Sequence, residues 1–156
     1  MRARLIAGLA LGGLLAPGAT GAAATLAGHW TFDPAQSRNV GMMGSMAIHS
    51  TIVLTPSELI VDDASEFNGQ KDAQHTVYDL TGKPISNTPP MGGPATTRSH
   101  WKDDRLVTEW ESPGSIAGST VKRTETRYLS ADGSVMYLES SRPGQPPIVM
   151  VFTRDR

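Results

Sequence analysis

Short stretches rich in β-branched and aromatic residues recur along this chain, and turn-forming residues separate each stretch from the next. No apolar repeat at the 3.6-residue spacing of a helix continues far enough to form a major helix. Lys102-Asp103-Asp104 and Ala131-Asp132-Gly133 are polar connections of the length that hairpins use, and Gly133 can take the left-handed conformation of a bulged turn. The pattern predicts an all-β fold, an antiparallel meander of about eight strands.

The predicted strands follow one another in hairpin order, and longer loops rich in glycine and proline lie between some of them. Residues 81–95 form one of these predicted loops. Nine stretches are candidates for these strands, at residues 28–32, 48–54, 58–62, 73–80, 95–101, 105–111, 120–129, 134–140 and 148–153.

Composition and length restrict the class of protein further. The 156 residues include no cysteine, and 38% of them are hydrophobic. A chain of this size buries about two-thirds of its unfolded surface, so one core can hold it without a metal or a disulfide. We therefore predict a single domain over residues 25–156. A large dinucleotide-binding enzyme, a multi-span membrane protein and a disulfide-built domain are excluded. The formal net charge of −1 gives no electrostatic reason to expect nucleic acid as a partner.

Residues 1–24 have the pattern of a signal peptide. Met1-Arg2-Ala3-Arg4 is cationic, and the apolar run from Leu5 to Ala16 is shorter than the roughly 20 residues that a membrane-spanning helix needs. Ala22-Ala23-Ala24 supplies the small residues that signal peptidase requires. The alternative is a buried N-terminal helix, in which each of the three glycines of the run costs about 1 kcal/mol. We predict export to the periplasm or the exterior, with no membrane span.

Alternation along the strands places residues of mixed polarity on both faces. Leu106, Thr108 and Trp110 share one side of their strand. In the strand at 120–129, Lys122, Thr124, Thr126 and Tyr128 alternate with Val121, Arg123, Glu125, Arg127 and Leu129. Polar residues are tolerated on an inward face where the interior is hydrated or holds a ligand. Closure into a barrel would also remove the free edges of such a sheet.

The start of the predicted domain carries a resemblance to known proteins. Gly28-His29-Trp30, followed by Asp33-Pro34 and then Ser37, resembles the Gly-x-Trp opening of lipocalin-like and other calycin proteins. It is more closely similar to small exported bacterial proteins that begin Gly-x-Trp, then Asp-Pro, then Ser, most of which have no assigned activity. Those proteins are also similar to this chain in the turns at Trp101-Lys102-Asp103-Asp104 and Ser130-Ala131-Asp132-Gly133.

The resemblance implies a calycin-like barrel, closed or nearly closed, in which an Arg or Lys at the end of the last strand stacks on the opening tryptophan. Arg154 stands at that position, with Arg156 as the second choice, and a cation over an indole contributes about 0.5–2 kcal/mol. Gly28, Trp30 and Arg154 are then structural closure residues. The alternative is that Trp30 is an ordinary core aromatic.

The chain also departs from its calycin relatives. The further motifs of true lipocalins and their usual disulfide are missing, and the length fits the ten-strand fatty-acid-binding barrels better. The Arg-x-Tyr with which those barrels bind a carboxylate is not matched, because Arg127 and Tyr128 are contiguous and point to opposite faces.

Motifs for catalysis are weak, and we predict neither an enzyme nor a cofactor. The serine in Gly114-Ser115-Ile116-Ala117-Gly118 has the wrong spacing for a nucleophile elbow, and the Ser-x-x-Lys match at residues 99–102 lies in a strand. The carboxylate pairs Asp62-Asp63, Asp103-Asp104 and Glu109 with Glu111 are more simply explained as solvated positions.

Methionines cluster before the second predicted strand, at Met42, Met43 and Met46, and His49 follows. Thioether sulfur suits Cu(I), so these four residues could form a copper site. A Met-rich segment is also an adaptable apolar lid over a core or cavity, and we favour this interpretation and predict no metal.

The predicted function is an exported, non-enzymatic binding protein for a small, mainly apolar ligand, because a barrel of eight to ten strands can hold one such molecule. The candidate ligand-binding residues are Trp110, Tyr128, Tyr137 and Met150. One alternative is a structural or interaction module of the cell envelope with a filled core, whose protein partner the sequence does not identify. A copper-handling protein is the third. An apolar cavity of about 300 Å³ or more favours the ligand carrier, and a filled interior favours the interaction module.

Overall fold

The protein forms one antiparallel sheet of ten strands in a computed structural model that describes residues 25–89 and 93–156. The all-β prediction is confirmed, although the strands number ten rather than about eight. The predicted signal peptide lies outside the described residues. The strands are β1 (Gly28–Phe32), β2 (Ala47–Leu54), β3 (Glu58–Phe67), β4 (Gln70–Asp79), β5 (Ile85–Asn87), β6 (Ala95–Lys102), β7 (Arg105–Pro113), β8 (Thr120–Leu129), β9 (Val135–Ser141) and β10 (Ile148–Arg154).

The sheet curls into a nearly closed barrel because β1 pairs with both β2 and β10. All other neighbours along the sheet are consecutive hairpins, which leaves β4 and β5 as the two ends of the sheet. These two strands meet across a seam that side chains hold. The Asn87 amide nitrogen donates to the Val77 carbonyl at 2.8 Å, and the Val77 N–H donates to the Asn87 amide oxygen at 3.4 Å. Gln74 donates to the Thr88 carbonyl at 2.6 Å beside them.

The strand that the sequence did not predict is β5, which lies within the loop expected at residues 81–95. It is only three residues long, so it carries too little alternation to be recognised locally. Its pairing with β6, from Ile85 with Thr97 to Asn87 with Ala95, defines it as a strand.

The turns follow the expected backbone chemistry. Asp103 has a φ of 55° and Gly133 a φ of 70°, which are the left-handed conformations that the two hairpin connections need. The longest connection, between β1 and β2, contains a 3₁₀ helix at Gly41–Ser45. No helix within the described ranges is long and apolar enough to cross a membrane.

One end of the barrel is closed by a cluster around Trp30, which is fully buried and whose indole N–H donates to the Leu26 carbonyl at 2.9 Å. The Arg154 guanidinium carbon lies 4.1 Å from the centre of the Trp30 ring. Gly28 allows this approach, because a Cβ at that position would lie 2.6 Å from the Arg154 Nη1 atom. We call this the closed end. The opposite end, where the β3–β4 hairpin turns at Asn68, is called the open end.

Candidate functional site

The inner face of the barrel carries an apolar core cluster and a set of buried polar side chains, which we call the polar layer. The core cluster includes Phe32 and Phe152, whose rings lie 5.5 Å apart. In the polar layer the Ser99 and Thr108 hydroxyls share a hydrogen bond of 2.8 Å, and Asn87 donates to the Thr97 hydroxyl at 2.8 Å. The buried polar side chains are Ser50, Thr76, Thr97, Ser99, Thr108 and Arg127. The interior therefore contains buried polar side chains beside its apolar ones, in keeping with the mixed polarity of both strand faces in the sequence.

Two arginines and two carboxylates reach this polar layer, and they are not all paired. Arg123 forms an ion pair with Glu125 at 3.0 Å, and the Ser50 hydroxyl donates a hydrogen bond to the Asp63 carboxylate. Arg127 is 7% exposed, and within residues 25–89 and 93–156 it forms no ion pair with a carboxylate. Among the described residues, the Arg127 guanidinium is therefore a buried cation without a direct counterion.

Arg127 is buried because of its position in the barrel wall. Alternation along β8 turns its side chain inward, and its cross-strand neighbours are Leu106 on β7 and Leu138 on β9. Both neighbours are apolar, so neither can accept a hydrogen bond from the guanidinium. The site combines a buried positive charge with two apolar flanks.

Two further donors in the same wall lack an acceptor. The Trp110 indole nitrogen and the Arg123 Nε atom are both buried and have no hydrogen-bond partner among the described residues. The Arg123 guanidinium carbon lies 4.6 Å from the centre of the Trp110 ring. Because buried N–H groups are nearly always paired in proteins, these donors indicate a place for an acceptor atom.

Tyr78 crosses the interior from β4 to the wall that carries the arginines. Its ring meets the Trp110 ring edge to face at 6.1 Å, and the Arg127 guanidinium carbon lies 5.7 Å from the ring centre. Burial raises the pKa of the Tyr78 phenol, and the negative charge of Glu125 raises it further. The phenol therefore stays neutral at ordinary pH.

The space around Tyr78 and Arg127 is filled and has no room for a water molecule. It is lined by Leu59, Tyr78, Leu106, Thr108, Glu125, Arg127 and Leu138. By the criterion of an apolar cavity of about 300 Å³, this part of the interior does not favour a ligand carrier.

A larger space lies at the open end. It is an open cleft of about 590 Å³, lined by Met46, Ser65, Phe67, Gln70, Lys71 and Asp72. Met46 also packs against the hydrophobic core, so it lies between the cleft and the interior. A second hollow, of about 390 Å³, lies at β6, β7 and β8 and has a mostly polar lining that includes the ion pair of Lys122 and Glu111.

The four candidate ligand-binding residues divide between the two faces. Trp110 and Met150 face inward, and both belong to or pack against the core. Tyr128 and Tyr137 lie on the outer face, which corrects the inward side expected for them. Their rings stack at 5.0 Å, and the Arg105 guanidinium carbon lies 3.9 Å from the Tyr128 ring centre. Successive residues of β8 point to opposite faces, and Arg127 points inward, so Tyr128 points outward. Tyr137 is paired with Tyr128 on β9 and therefore shares the outer face.

The residues of the alternative, less favoured copper site are not brought to one place. Met42 is 75% exposed in the 3₁₀ helix, and Met46 lines the cleft. His49 lies on the outer face of β2, where its Nδ1 atom is 3.1 Å from the Thr31 hydroxyl. Because His49 and Met46 lie on opposite sides of the barrel wall, they cannot bind the same ion in this arrangement. No group of three or more His, Asp or Glu residues suited to a metal is found in the part of the chain that the structure describes.

Arg127, Arg123 and Tyr78 were not predicted as site residues. Alternation along β8 did not show which side is inward, because both sides are mixed in polarity and Val121, which shares the parity of the two arginines, is 45% exposed. The unpaired state of Arg127 had no indication in the sequence either, because it depends on which side chains the barrel brings to β8.

Comparison with known proteins shows a fold likeness alone. No protein-family model matches the chain, and no curated protein matches it in sequence. Among solved structures, the REP1-NXSQ fatty acid transporter has a TM-score of 0.66 at 14% identity, over 84% of this chain and 96% of that one. Fatty-acid-binding protein 1 of Echinococcus granulosus has a TM-score of 0.65 at 10% identity, over 84% and 98%. Human cRBP IV has a TM-score of 0.62 at 18% identity, over 85% and 99%. The fold is thus the ten-strand, calycin-like barrel of fatty-acid-binding proteins.

Proposed function

We propose that this protein is a non-enzymatic binding protein for a small amphipathic molecule with an apolar body and an acidic head, held inside the barrel. The buried, unpaired guanidinium of Arg127 carries the proposal. The pattern of residues 1–24 supports the further proposal that the protein acts after export.

The acidic head follows from the charge balance of the interior. Burying a charged group without a partner costs several kcal/mol, whereas a matched counterion and hydrogen bonds offset that cost. Glu125 is already paired with Arg123, and Asp63 with Ser50. Within the part of the chain that the structure describes, Arg127 therefore lacks the counterion that a bound acid would supply. A carboxylate accepts hydrogen bonds without donating any, which also suits the unpaired donor of Trp110.

The apolar body is supported by the walls beside Arg127 and by the fold. Leu106, Leu138 and Leu59 line the space around the guanidinium. The similar structures include proteins named as a fatty acid transporter and a fatty-acid-binding protein, whose named ligands have this combination of acid and apolar chain.

The second candidate is an interaction module with a filled interior. It is favoured by the absence of water-sized space around Tyr78 and Arg127. The two candidates differ in one measurable respect, since only the first requires the interior to accept an acid.

Titration with dodecanoate and with dodecanol tests the proposal, because the two probes differ only in the head group. Near pH 7 the carboxylate is ionised, and a hydrogen bond to a charged group contributes about 1.5–3 kcal/mol. We expect dodecanoate to bind roughly 10- to 100-fold more tightly than dodecanol, as measured by calorimetry or by the fluorescence of the three tryptophans.

Arg127→Gln should abolish the preference for the acid. Arg105→Gln is the matched control, because Arg105 is also a cation beside a tyrosine but lies on the outer face, and it should leave the preference intact. Failure of wild-type protein to bind either probe would favour the interaction module. An unchanged preference in Arg127→Gln would contradict the assigned role of that residue.

A further inference from the structure

We propose that the Tyr78 ring fills the place of the ligand's head group and that it must swing away when the ligand binds. The inference rests on the proposed function, since it describes how the same site exchanges one occupant for another. It makes Tyr78 the residue that determines how tightly the barrel binds an acid.

The Tyr78 ring lies beside Arg127 in the interior of the barrel. Tyr78 extends from β4 toward Arg127, and its ring centre is 5.7 Å from the guanidinium carbon. No water-sized space remains around the two side chains. A carboxylate that forms hydrogen bonds with Arg127 has to come within about 3 Å of its nitrogens. Because no water-sized space remains beside the guanidinium, the ring and the carboxylate compete for the same space.

The ring is carried by an end strand of the sheet. Tyr78 follows Val77, and β4 is one of the two end strands of the sheet. On the side of the seam, Val77 is held by the Asn87 side chain rather than by a neighbouring strand. The contacts of the ring with Trp110 and Arg127 are ring-edge and cation–π contacts, which are weaker than an ion pair.

The consequence is a reduced affinity in the wild-type protein. Only the fraction of molecules in which the ring has already moved aside can bind, so the apparent Kd exceeds the intrinsic Kd by the inverse of that fraction. A substitution that removes the ring removes this penalty. Moving the ring out of its buried position costs the free energy of that burial. For an aromatic ring this free energy corresponds to a change in Kd of about tenfold or more.

Tyr78→Ala should therefore bind dodecanoate about tenfold more tightly than the wild type, with the preference over dodecanol retained. Tyr78→Leu, which fills more of the space, is the second variant if Tyr78→Ala does not fold. Tyr128→Ala is the matched control, because its ring lies on the outer face, and it should not change Kd.

Ring signals provide a direct measurement in the wild-type protein, which contains only three tyrosines. Addition of dodecanoate should shift the NMR signals of the Tyr78 ring and leave those of Tyr128 and Tyr137 in place. If the wild type binds dodecanoate through Arg127 but the Tyr78 variants bind no more tightly, or the Tyr78 ring does not shift, this inference is overturned and the proposed function stands. If binding does not depend on Arg127, the proposed function itself fails.

Discussion

Removal of the Arg154 side chain should destabilise the barrel strongly, although the residue is third from the end of the chain. Three of its nitrogens donate to backbone carbonyls, to Gly133 at 3.0 Å, Ala27 at 2.8 Å and Thr25 at 2.6 Å. The guanidinium also covers the Trp30 ring. The side chain thus ties the chain before β1, the β8–β9 hairpin and the tryptophan of the closed end to the end of β10.

The size of the effect follows from these contacts. A cation over an indole contributes about 0.5–2 kcal/mol, and each hydrogen bond about 0.5–1.5 kcal/mol net. Because Arg154 is partly exposed and water can replace some of its contacts, we expect Arg154→Ala to lower the free energy of unfolding by about 2–4 kcal/mol. For a domain of this size the corresponding fall in Tm is roughly 8–16 °C.

Urea denaturation followed by tryptophan fluorescence measures the change. Arg154→Lys should lose about half as much stability, because an ammonium keeps the charge but not the fork of donors. Arg156→Ala is the control and should change stability by no more than about 0.5 kcal/mol. Gly28→Ala should destabilise through the same contact, since its new methyl group would displace the Arg154 guanidinium and its φ of 133° is unfavourable for alanine. Equal stability of Arg154→Ala and Arg156→Ala would refute this account of the closed end.

Two further predictions concern a turn and the seam. The Ser130 hydroxyl, followed by the backbone and hydroxyl of Ser134, donates to Asp132 and lowers the pKa of its carboxyl to about 2. The ionised carboxylate therefore stabilises the fold above about pH 4, and the contribution disappears as the pH falls toward 2. Asp132→Asn should lower Tm at pH 6 more than at pH 2, and an equal fall at both would contradict the assignment. Asn87→Ala removes both hydrogen bonds to the Val77 backbone and should lower the free energy of unfolding by about 1–3 kcal/mol. Hydrogen exchange at the Val77 amide should become faster. Unchanged exchange would show that the seam does not depend on Asn87.

Features that depend on near neighbours in the chain can be predicted from the amino-acid sequence. Turn residues and alternation are local, so they specified an all-β chain of hairpins and the left-handed residue Gly133. The residues of the closed end could also be predicted. Gly28 and Trp30 lie together at the start of the domain, and the resemblance assigned Arg154 to them. The structure has all three in one cluster.

Closure of the barrel determines which face of β8 is inside and which side chains its inner residues contact. Alternation divides Tyr128 from Arg127 but does not say which of the two faces the interior, and both sides of the strand are mixed in polarity. The barrel turned Arg127 inward between two leucines and brought Tyr78 across to it from β4. These contacts join residues far apart in the chain, so their energies depend on closure of the sheet and leave no pattern in the local sequence.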